Sequence, residues 1–382
     1  LSSNESLGAV KFNDDTKTIS IDFQQIRFFT LDFRFSKNVL TEEAQDFINS
    51  LFSEAVNLQS VKLNRVNLGK IDFSNLDNKA YLERFEVIDC ELQNIPDISL
   101  PYLRFMDMSD NDLSAADACA GLTGTNYPQL TDLTLFNCKL TEIPDASLSK
   151  LSILIISGND FSGGNACNHL NSTNFPVLEA VYLDKCMISD VGGLSNIGST
   201  LTALSLGRNY LTNDSLDSLI GMRDKFPNLR VLNLGGKVRE GSGMIADSGA
   251  SNTNTFTDTQ KLASLLTTFP NIKNMDLSNL RITSLQDFSG VGDDITLYFN
   301  RNKIIDFAGL ENRAHIYFDW QSITTPEKFS PGQEGELPEL LKRILDPSDV
   351  LKGNMTYYNC KLSDDGTKLI INPNVGGASI KV

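Results

Sequence analysis

The chain has 382 residues, which is long enough to bury a large core, and it carries 33 lysines and arginines against 48 aspartates and glutamates, a formal net charge of −15. This acidic balance disfavours nucleic acids and anionic membranes as partners, because contacts to phosphate need lysine and arginine. The sequence has no run of 18 or more apolar residues, so we expect no transmembrane span.

Residues 1–57 are expected to form an N-terminal cap. An alternating run from Ile19 to Phe35 predicts β-strands, and Thr41 to Phe52 has the pattern of a helix with acidic residues in its first turn. The polar opening LSSNES is typical of a tether left after a signal segment is removed. We therefore expect an extracellular or cell-surface protein, with a lipid on the removed segment as one means of anchoring.

From residue 58 onward a leucine-rich phrase recurs, and it reads L-x-x-L-x-L-x-x-N/C-x-L. This is the signature of leucine-rich repeats, in which each coil contributes one strand to a parallel sheet. The phrases begin at Leu58, Leu82, Leu103, Leu130, Leu151, Leu178, Leu201, Leu229, Ile272, Asp294 and Arg313, of which the last two are degenerate. The sequence therefore predicts an α/β leucine-rich-repeat solenoid of about 11 coils over residues 58–323, with the parallel sheet on its concave face.

The coils alternate in length. Those that begin at residues 82, 130 and 178 have 21, 21 and 23 residues, whereas those at 103, 151 and 201 have 27, 27 and 28. Long coils close with an aromatic residue followed by proline, which ends a helix. The segment before one such step, Thr259 to Phe269, has a helical leucine pattern. We therefore expect helical and irregular segments to alternate on the convex side.

Cysteine and asparagine share one slot of the phrase. Cys90, Cys138 and Cys186 lie 48 residues apart in sequence, and Asn111, Asn159, Asn209 and Asn302 occupy the equivalent slot. An asparagine there can hydrogen-bond backbone groups inside the turn, and a cysteine can pack as a small apolar group. Cysteines two coils apart would be roughly 10 Å apart at a strand spacing of about 4.8 Å, too far for a disulfide, which needs about 7 Å or less. We expect these three to be buried free thiols, Cys119 and Cys167 to pack in the convex layer, and Cys360 to have no evident partner.

Two regions interrupt the repeats. The coil that begins at Leu229 has 43 residues, because a stretch rich in Gly, Ser and Asn follows Leu234. Insertions into repeats often reach the binding face, so Lys237, Arg239 and Glu240 are candidate contacts, while the alternative is a tolerated loop. Residues 324–382 are expected to be a separate β-rich region, with a short helix around Leu337 to Ile344, a hairpin from Lys361 to Ile371 and a last strand from Ala378.

The repeat phrases resemble those of bacterial surface leucine-rich-repeat proteins, the internalin-like group. The tail, DWQSITTPEKFSPGQ followed by DDGTKLIINP, is similar to the immunoglobulin-like modules that often follow such repeats. It has 59 residues where that fold usually has about 100, so it is either a truncated module or a private C-terminal cap. The alternating coil lengths depart from internalins and resemble repeats of the ribonuclease-inhibitor type. The resemblance implies a bacterial surface or secreted protein that binds another protein.

The residues between the inward leucines of each strand should face the concave side. The candidate ligand-binding residues there are Phe105, Asp107, Asp132, Phe136, Ile155, Tyr182, Asp184, Arg208, Tyr298 and Tyr317. Exposed aromatic residues on a rigid sheet are typical binding anchors, while the alternative is that they pack against the adjacent coil. Ile153, Ile155 and Ala180 form an apolar middle, which is typical of a contact site. Trp320 is expected to seal the C-terminal junction.

The chain has few candidates for catalysis. His169 and His315 are its two histidines, and neither has a cysteine or histidine at metal-ligand spacing. We expect no catalytic residue, metal or cofactor. The sequence predicts a monomeric, non-enzymatic, exported recognition or adhesion protein that binds a protein partner. The alternative is a surface protein that binds glycans through the concave aromatic residues.

Overall fold

The structure is a computed structural model. It describes residues 10–13, 18–33, 38–164, 166–236, 238–239, 245–246, 252–292, 294–304, 315–317, 322–323, 334–336, 356–358, 360–362, 368–371 and 379–381. The chain divides into two compact units, Leu1–Leu204 with Val238–Ala246, and Ser205–Lys237 with Asp247–Val382.

The first unit begins with short strands and one helix. They are β1 (Val10–Asn13), β2 (Thr18–Ile21), β3 (Phe28–Asp32), β4 (Asn38–Val39), α1 (Glu42–Glu54), β5 (Ser60–Asn64) and β6 (Val66–Asn67). Helix α1 starts after Thr41, whose Oγ1 accepts the N–H of Ala44 at 3.3 Å. Strand β3 pairs in parallel with β5, so the segment before the repeats contributes a strand of the same kind. The predicted strands and helix are confirmed here.

The remaining strands of this unit repeat once per coil. They are β7 (Arg84–Ile88), β8 (Phe105–Asp107), β9 (Asp132–Thr134), β10 (Ile153–Ile155), β11 (Ala180–Tyr182) and β12 (Ala203–Ser205), which ends just beyond the unit. Strands β3, β5, β7, β8, β9, β10 and β11 pair in parallel in that order, whereas β4 and β6 pair with each other. The signature leucines Leu63, Leu133 and Leu154 are at most 2% exposed. This parallel register over a leucine core confirms the predicted leucine-rich-repeat solenoid.

The second unit continues the pattern. Its repeat strands are β13 (Val231–Asn233), β16 (Asn274–Asp276), β17 (Thr296–Tyr298) and β18 (Ile316–Tyr317), paired in parallel in that order. Between β13 and β16, two short antiparallel strands, β14 (Val238–Arg239) and β15 (Ile245–Ala246), are grouped with the first unit.

The convex side holds two helices within the described residues, α2 (Asn213–Gly221) and α3 (Thr259–Thr268). They belong to the coils that begin at Leu201 and Leu229, and α3 confirms the predicted helix there. The long coils from Leu103 and Leu151 form turns at the equivalent place instead. In both of these coils the convex backbone hydrogen-bonds the preceding coil, since the N–H groups of Ile95 and Ile143 donate to the carbonyls of Ala118 and Ala166 at 2.7 and 2.9 Å. Short 3₁₀ helices lie on the same side in the coils from Leu58 and Leu178, at Phe73–Leu76 and Gly192–Asn196.

The shared asparagine and cysteine slot explains the 48-residue period. Asn111 Oδ1 accepts the backbone N–H groups of Cys90 and Leu92, both at 3.0 Å, in the preceding coil. Its Nδ2 donates to the carbonyls of Val87 and Met108, one in each coil. One asparagine therefore satisfies the turns of two coils. Asparagine is therefore needed only in every second coil, and the coil before it can carry a cysteine in the same slot. The predicted roles of both residue types are confirmed.

The insertion enters at this same turn. In the coil from Leu229 the asparagine slot is filled after the insertion by Asn254, whose Oδ1 accepts the N–H of Leu211 at 3.0 Å. Asn254 Nδ2 donates to the carbonyls of Leu206 and Leu234, both at 3.0 Å. The chain thus leaves the regular coil after Gly236 and rejoins it at Asn252. Among the candidate contacts, Lys237 and Glu240 lie outside the described residues, and Arg239 is described only as backbone of β14.

The predicted β-rich tail is confirmed where the structure describes it. Its strands are β20 (Glu334–Glu336), β21 (Thr356–Tyr358), β22 (Cys360–Leu362), β23 (Lys368–Ile371) and β24 (Ser379–Lys381), and they are joined by β19 (Ser322–Ile323), which lies just before the predicted start of the tail. They form two antiparallel three-stranded sheets, with orders β19-β24-β21 and β20-β23-β22. The pair β22–β23 is the predicted hairpin. The predicted helix around Leu337 and the side chains of Trp320 and Cys360 lie outside the described residues. The boundaries 1–57, 58–323 and 324–382 stay a prediction.

Candidate binding face

The side of the parallel strands opposite the leucine core is the candidate binding face. In the first unit it is defined by the outward residues of β5 to β11 and by those that follow these strands, and we call it the open face. Its members are Ser60, Lys62, Arg84, Glu86, Phe105, Asp107, Asp132, Thr134, Phe136, Ile153, Ile155, Ser157, Ala180, Tyr182 and Asp184. Neighbouring positions on adjacent strands are about 4.8 Å apart, so side chains on the open face touch across strands.

Four of the predicted site residues are half-buried on the open face, namely Phe105, Asp132, Phe136 and Tyr182. The ring of Phe136 covers Gly158 in the next coil, since a Cβ built there would lie 3.4 Å from Phe136 Cε2. Gly158 has φ +78°, a left-handed conformation that favours glycine. The ring of Phe136 therefore packs directly against this turn, and the positive φ accounts for the glycine.

Three predicted surface contacts are buried instead. Asp107, Ile155 and Asp184 are at most 2% exposed. Asp107 Oδ1 accepts the backbone N–H of Ser109 at 3.0 Å and its hydroxyl at 2.5 Å, and the hydroxyl of Ser157 donates to Asp184 Oδ2 at 3.4 Å. The predicted role of these three as surface contacts is wrong. The alternation of residues along a strand predicts the sheet face on which a side chain lies, but it does not predict how far neighbouring side chains cover it. Ala180 is buried as well, so the predicted apolar middle is reduced to Ile153.

An ionic cluster that the predicted site did not include lies at the start of the open face. Glu86 is 3% exposed, and it accepts a hydrogen bond from Arg84 Nε while Lys62 Nζ lies 3.1 Å from its Oε2. The guanidinium carbon of Arg84 lies 3.6 Å from the centroid of the Phe105 ring. A signal was available in the sequence, because Lys62 and Glu86 are outward residues of neighbouring strands with opposite charge.

The second unit contributes the other predicted residues. Tyr298 and Tyr317 are directly paired in the register of β17 and β18, and their rings stack with centroids 5.0 Å apart and planes 15° apart. Burial, with the nearby Tyr317 and Asp276, raises the pKa of Tyr298. Arg208 is 7% exposed and has φ +56° in the turn after β12. Its predicted surface position is wrong, because the side chain is buried.

A separate cavity of about 210 Å³ lies on the convex side, and its lining includes Cys119, Asp145 and His169. His169 Nδ1 lies 3.3 Å from Asp145 Oδ1. Burial raises the pKa of the Cys119 thiol to about 12, so the thiol stays protonated and is a poor nucleophile. Within the described residues, no three His, Cys, Asp or Glu side chains are grouped as metal ligands.

Over the same described part of the chain, no helix is both long enough and apolar enough to cross a membrane.

Comparison with known proteins finds distant structural likeness alone. No protein-family model matches the chain, and no curated protein matches it significantly. An internalin from Listeria monocytogenes is 16% identical, with a TM-score of 0.44 over 83% of this chain and 92% of the internalin. The structure of the Drosophila Toll–Spätzle complex gives 17% identity and a TM-score of 0.46 over 74% of this chain and 38% of that one. The leucine-rich-repeat domain of APL1B gives 17% and 0.43, over 78% of each chain.

Proposed function

We propose that this protein is a non-enzymatic recognition protein that binds a protein partner on the open face of its first unit. The observation that carries the proposal is the set of half-buried aromatic side chains Phe105, Phe136 and Tyr182 on one sheet face. Aromatic residues are enriched among the few side chains that supply most of the energy of protein–protein interfaces. The backbone that carries these three residues loses little conformational entropy when a partner binds, because parallel hydrogen bonds and a leucine core already fix the strands.

Asp132 supports the proposal with a charge beside the aromatic residues. It is half-buried, and its Oδ2 accepts the hydroxyl of Thr131 at 2.7 Å. A charge at this position is expected to affect the rate at which a partner associates more than the stability of the complex. The loop residues Lys237, Arg239 and Glu240 stay proposed contacts.

Two features support a non-enzymatic role. The convex cavity contains a protonated, weakly nucleophilic thiol at Cys119, and the acidic residues of the open face that are most buried accept hydrogen bonds from neighbouring serines. We place the protein outside the cell or on its surface, as a monomer, which is what the resemblance of its repeat phrases to internalin-like proteins implies.

Site-specific photo-crosslinking tests this proposal and identifies the partner. Benzoylphenylalanine is introduced at Tyr182 on the open face or at the exposed convex Asn168 as the matched control, and each variant is illuminated in a mixture of secreted and cell-surface proteins. The proposal expects one adduct from position 182 that excess unlabelled protein competes away. Equal adducts from both positions, or adducts that are not competed, would contradict it.

The stacked tyrosines of the second unit favour glycan binding as the second candidate. Tyr317 is 47% exposed and lies against Tyr298, so the pair offers a flat aromatic surface with hydroxyls at its edge, suited to the apolar face of a sugar ring. This candidate expects a glycan-array signal that Tyr317→Ala abolishes and that salt does not change. An array without signal would remove it.

A further inference from the structure

We propose that Lys62, Arg84, Glu86 and Phe105 form an anion-binding anchor that takes a carboxylate side chain of the protein partner. The four residues lie on the adjacent strands β5, β7 and β8, in two rows of the register: Lys62 opposite Glu86, and Arg84 opposite Phe105. The inference rests on the proposed function and deepens it, because it specifies the chemistry that the open face recognises.

The cluster holds one guanidinium group in a fixed position. Arg84 Nε donates to the buried carboxylate of Glu86, and the guanidinium carbon lies over the Phe105 ring, 3.6 Å from its centroid. Lys62 forms an ion pair with the other oxygen of the same carboxylate at 3.1 Å. A guanidinium that is held along one edge and one face loses little entropy when a ligand binds its remaining donors.

Those remaining donors are the two Nη groups of Arg84. Within the described residues they make no hydrogen bond, and 43% of the side chain is exposed. Two parallel N–H donors on a planar group match the two oxygens of a carboxylate. Lys62, whose side chain is 32% exposed, lies on the strand next to Arg84 and can add a third donor.

The charges of the cluster are balanced. Lys62 and Arg84 contribute two positive charges, which the buried carboxylates of Glu86 and Asp107 offset, so the remaining donors of Arg84, and not an excess of charge, favour an anion. Arg104 and Glu83, both exposed at the edge of the strands, add one charge of each sign. Asp107, next to Glu86 in the register, is buried and turned toward Ser109.

A protein carboxylate fits this cluster better than a polyanion. The net charge of −15 repels nucleic acids and other densely charged ligands at long range. A single acidic side chain experiences less of this repulsion, and it can approach while the rest of the partner contacts Phe136 and Tyr182 on the same face. The cluster therefore selects a partner with an aspartate or glutamate at its contact surface.

The test uses the whole chain and a fluorescein-labelled glycine-serine peptide that carries one glutamate, with the same peptide carrying glutamine as the reference. Fluorescence anisotropy at low salt measures the affinity of both peptides. We expect Arg84→Gln to weaken binding of the glutamate peptide about tenfold, the loss of one charge-assisted pair. Arg223→Gln, the same charge change at an exposed convex residue, should change it less than about twofold. Arg84→Lys should weaken it severalfold, because lysine keeps the charge but cannot form two parallel bonds.

Two results would overturn the inference. One is equal binding of the glutamate and glutamine peptides to the unmodified chain, and the other is an equal loss for the Arg84 and Arg223 variants, which would mean general charge attraction. Thermal melts establish that Arg84→Gln is folded. If it is not, Phe105→Leu provides the test, since it keeps every charge and should weaken binding severalfold by releasing the guanidinium, and unchanged binding would also overturn the inference.

The anchor and the proposed function can fail separately. If a crosslinked partner loses affinity on Tyr182→Ala but not on Arg84→Gln, the anchor is wrong and recognition on the open face stands. If binding of the glutamate peptide depends on Arg84 but no competed adduct forms at position 182, the anchor stands as an anion site and the proposed partner surface is wrong.

Discussion

The side chain of Asn159 holds the backbone of Cys138, which lies 21 residues earlier in the chain. Asn159 Oδ1 accepts the N–H of Cys138 at 2.9 Å and that of Leu140 at 3.0 Å. Its Nδ2 donates to the carbonyls of Leu135 at 2.9 Å and Ile156 at 2.7 Å. Four buried backbone groups in two coils therefore depend on one amide.

Removal of this amide should be costly. Asn159→Ala leaves several buried polar groups without partners, and each such group costs about 1–3 kcal/mol, although water and relaxation will recover part of this. We expect the free energy of unfolding in urea to fall by about 3 kcal/mol. The exposed Asn168→Ala is the control and should change it by less than about 0.5 kcal/mol. Equal effects of the two variants would show that the amide does not hold the turns together.

The glycine at position 121 should be irreplaceable by alanine. A Cβ there would lie 2.7 Å from the carbonyl oxygen of Ile95 and 2.9 Å from that of Pro96, so the backbone of the preceding coil must move. We expect Gly121→Ala to destabilise the protein by about 1–3 kcal/mol. Gly163→Ala, where no atom lies within 4 Å of the added carbon, is the matched control and should be neutral or slightly stabilising. Similar melting temperatures for both variants would contradict the close approach at Gly121.

The cysteine thiols should be unreactive in the folded protein. Cys90, Cys138, Cys167 and Cys186 are buried, Cys119 is half-buried, and all five are free thiols. Burial raises the pKa of Cys167 to about 11 and that of Cys119 to about 12, and it also raises those of Cys138 and Cys186. In a Cys360→Ser background, we expect iodoacetamide to modify the folded chain slowly at neutral pH and to modify all five thiols rapidly in urea. Rapid modification without urea would refute their burial.

The same thiols should make the free energy of unfolding decrease at alkaline pH. A thiol whose folded pKa is raised favours the folded state below the unfolded pKa of about 9. That contribution is lost as the pH rises through the folded values, about 11 for Cys167 and about 12 for Cys119. We expect the urea midpoint to fall between pH 9 and pH 11, and Cys167→Ala should make the fall less steep than in the parent chain. An identical slope in both chains would rule out Cys167 as a contributor.

Two aspartates that occupy the same face should respond differently to substitution. Asp132 is half-buried, whereas Asp184 is fully buried and shares a hydrogen bond with Ser157. We expect Asp132→Lys to change the association rate of a partner and its dependence on salt, with little effect on stability. Asp184→Ala should lower the free energy of unfolding by about 2 kcal/mol, because it breaks a buried polar pair. Association is measured by stopped flow and stability by urea unfolding, on both variants. Equal effects of the two substitutions in both measurements would contradict the prediction.

The repeat phrase predicted most of the fold, because each of its positions has one physical task. Leu133 and Leu154 are buried, and Asn111 binds the turn of Cys90. The face of each strand also followed from alternation. Depth did not follow, since the burial of Asp107 and Asp184 depends on neighbours in other coils. Nor did the form of the convex segments, because it depends on hydrogen bonds between coils, such as that from the Ile95 N–H to the Ala118 carbonyl.

The ionic cluster shows what a residue-by-residue interpretation misses. Arg84 and Glu86 are outward residues of one strand, and the importance of their charges comes from Lys62 on one side and Phe105 on the other. Such a cluster can be recognised only when the register of three neighbouring strands is known. In this sequence that register is obtained by aligning the repeat phrases of the three coils, not by considering each residue separately.

Equilibrium binding of the crosslinked partner to two tyrosine variants tests recognition on the open face most directly. Tyr182 is half-buried on that face, and Tyr210, 52% exposed outside it, is the matched control. We expect Tyr182→Ala to weaken binding about thirtyfold, a loss of about 2 kcal/mol typical of a central aromatic anchor, and Tyr210→Ala to change it less than about twofold. If Tyr182→Ala leaves the affinity unchanged, or if both variants weaken it equally, the open face is not the site of recognition.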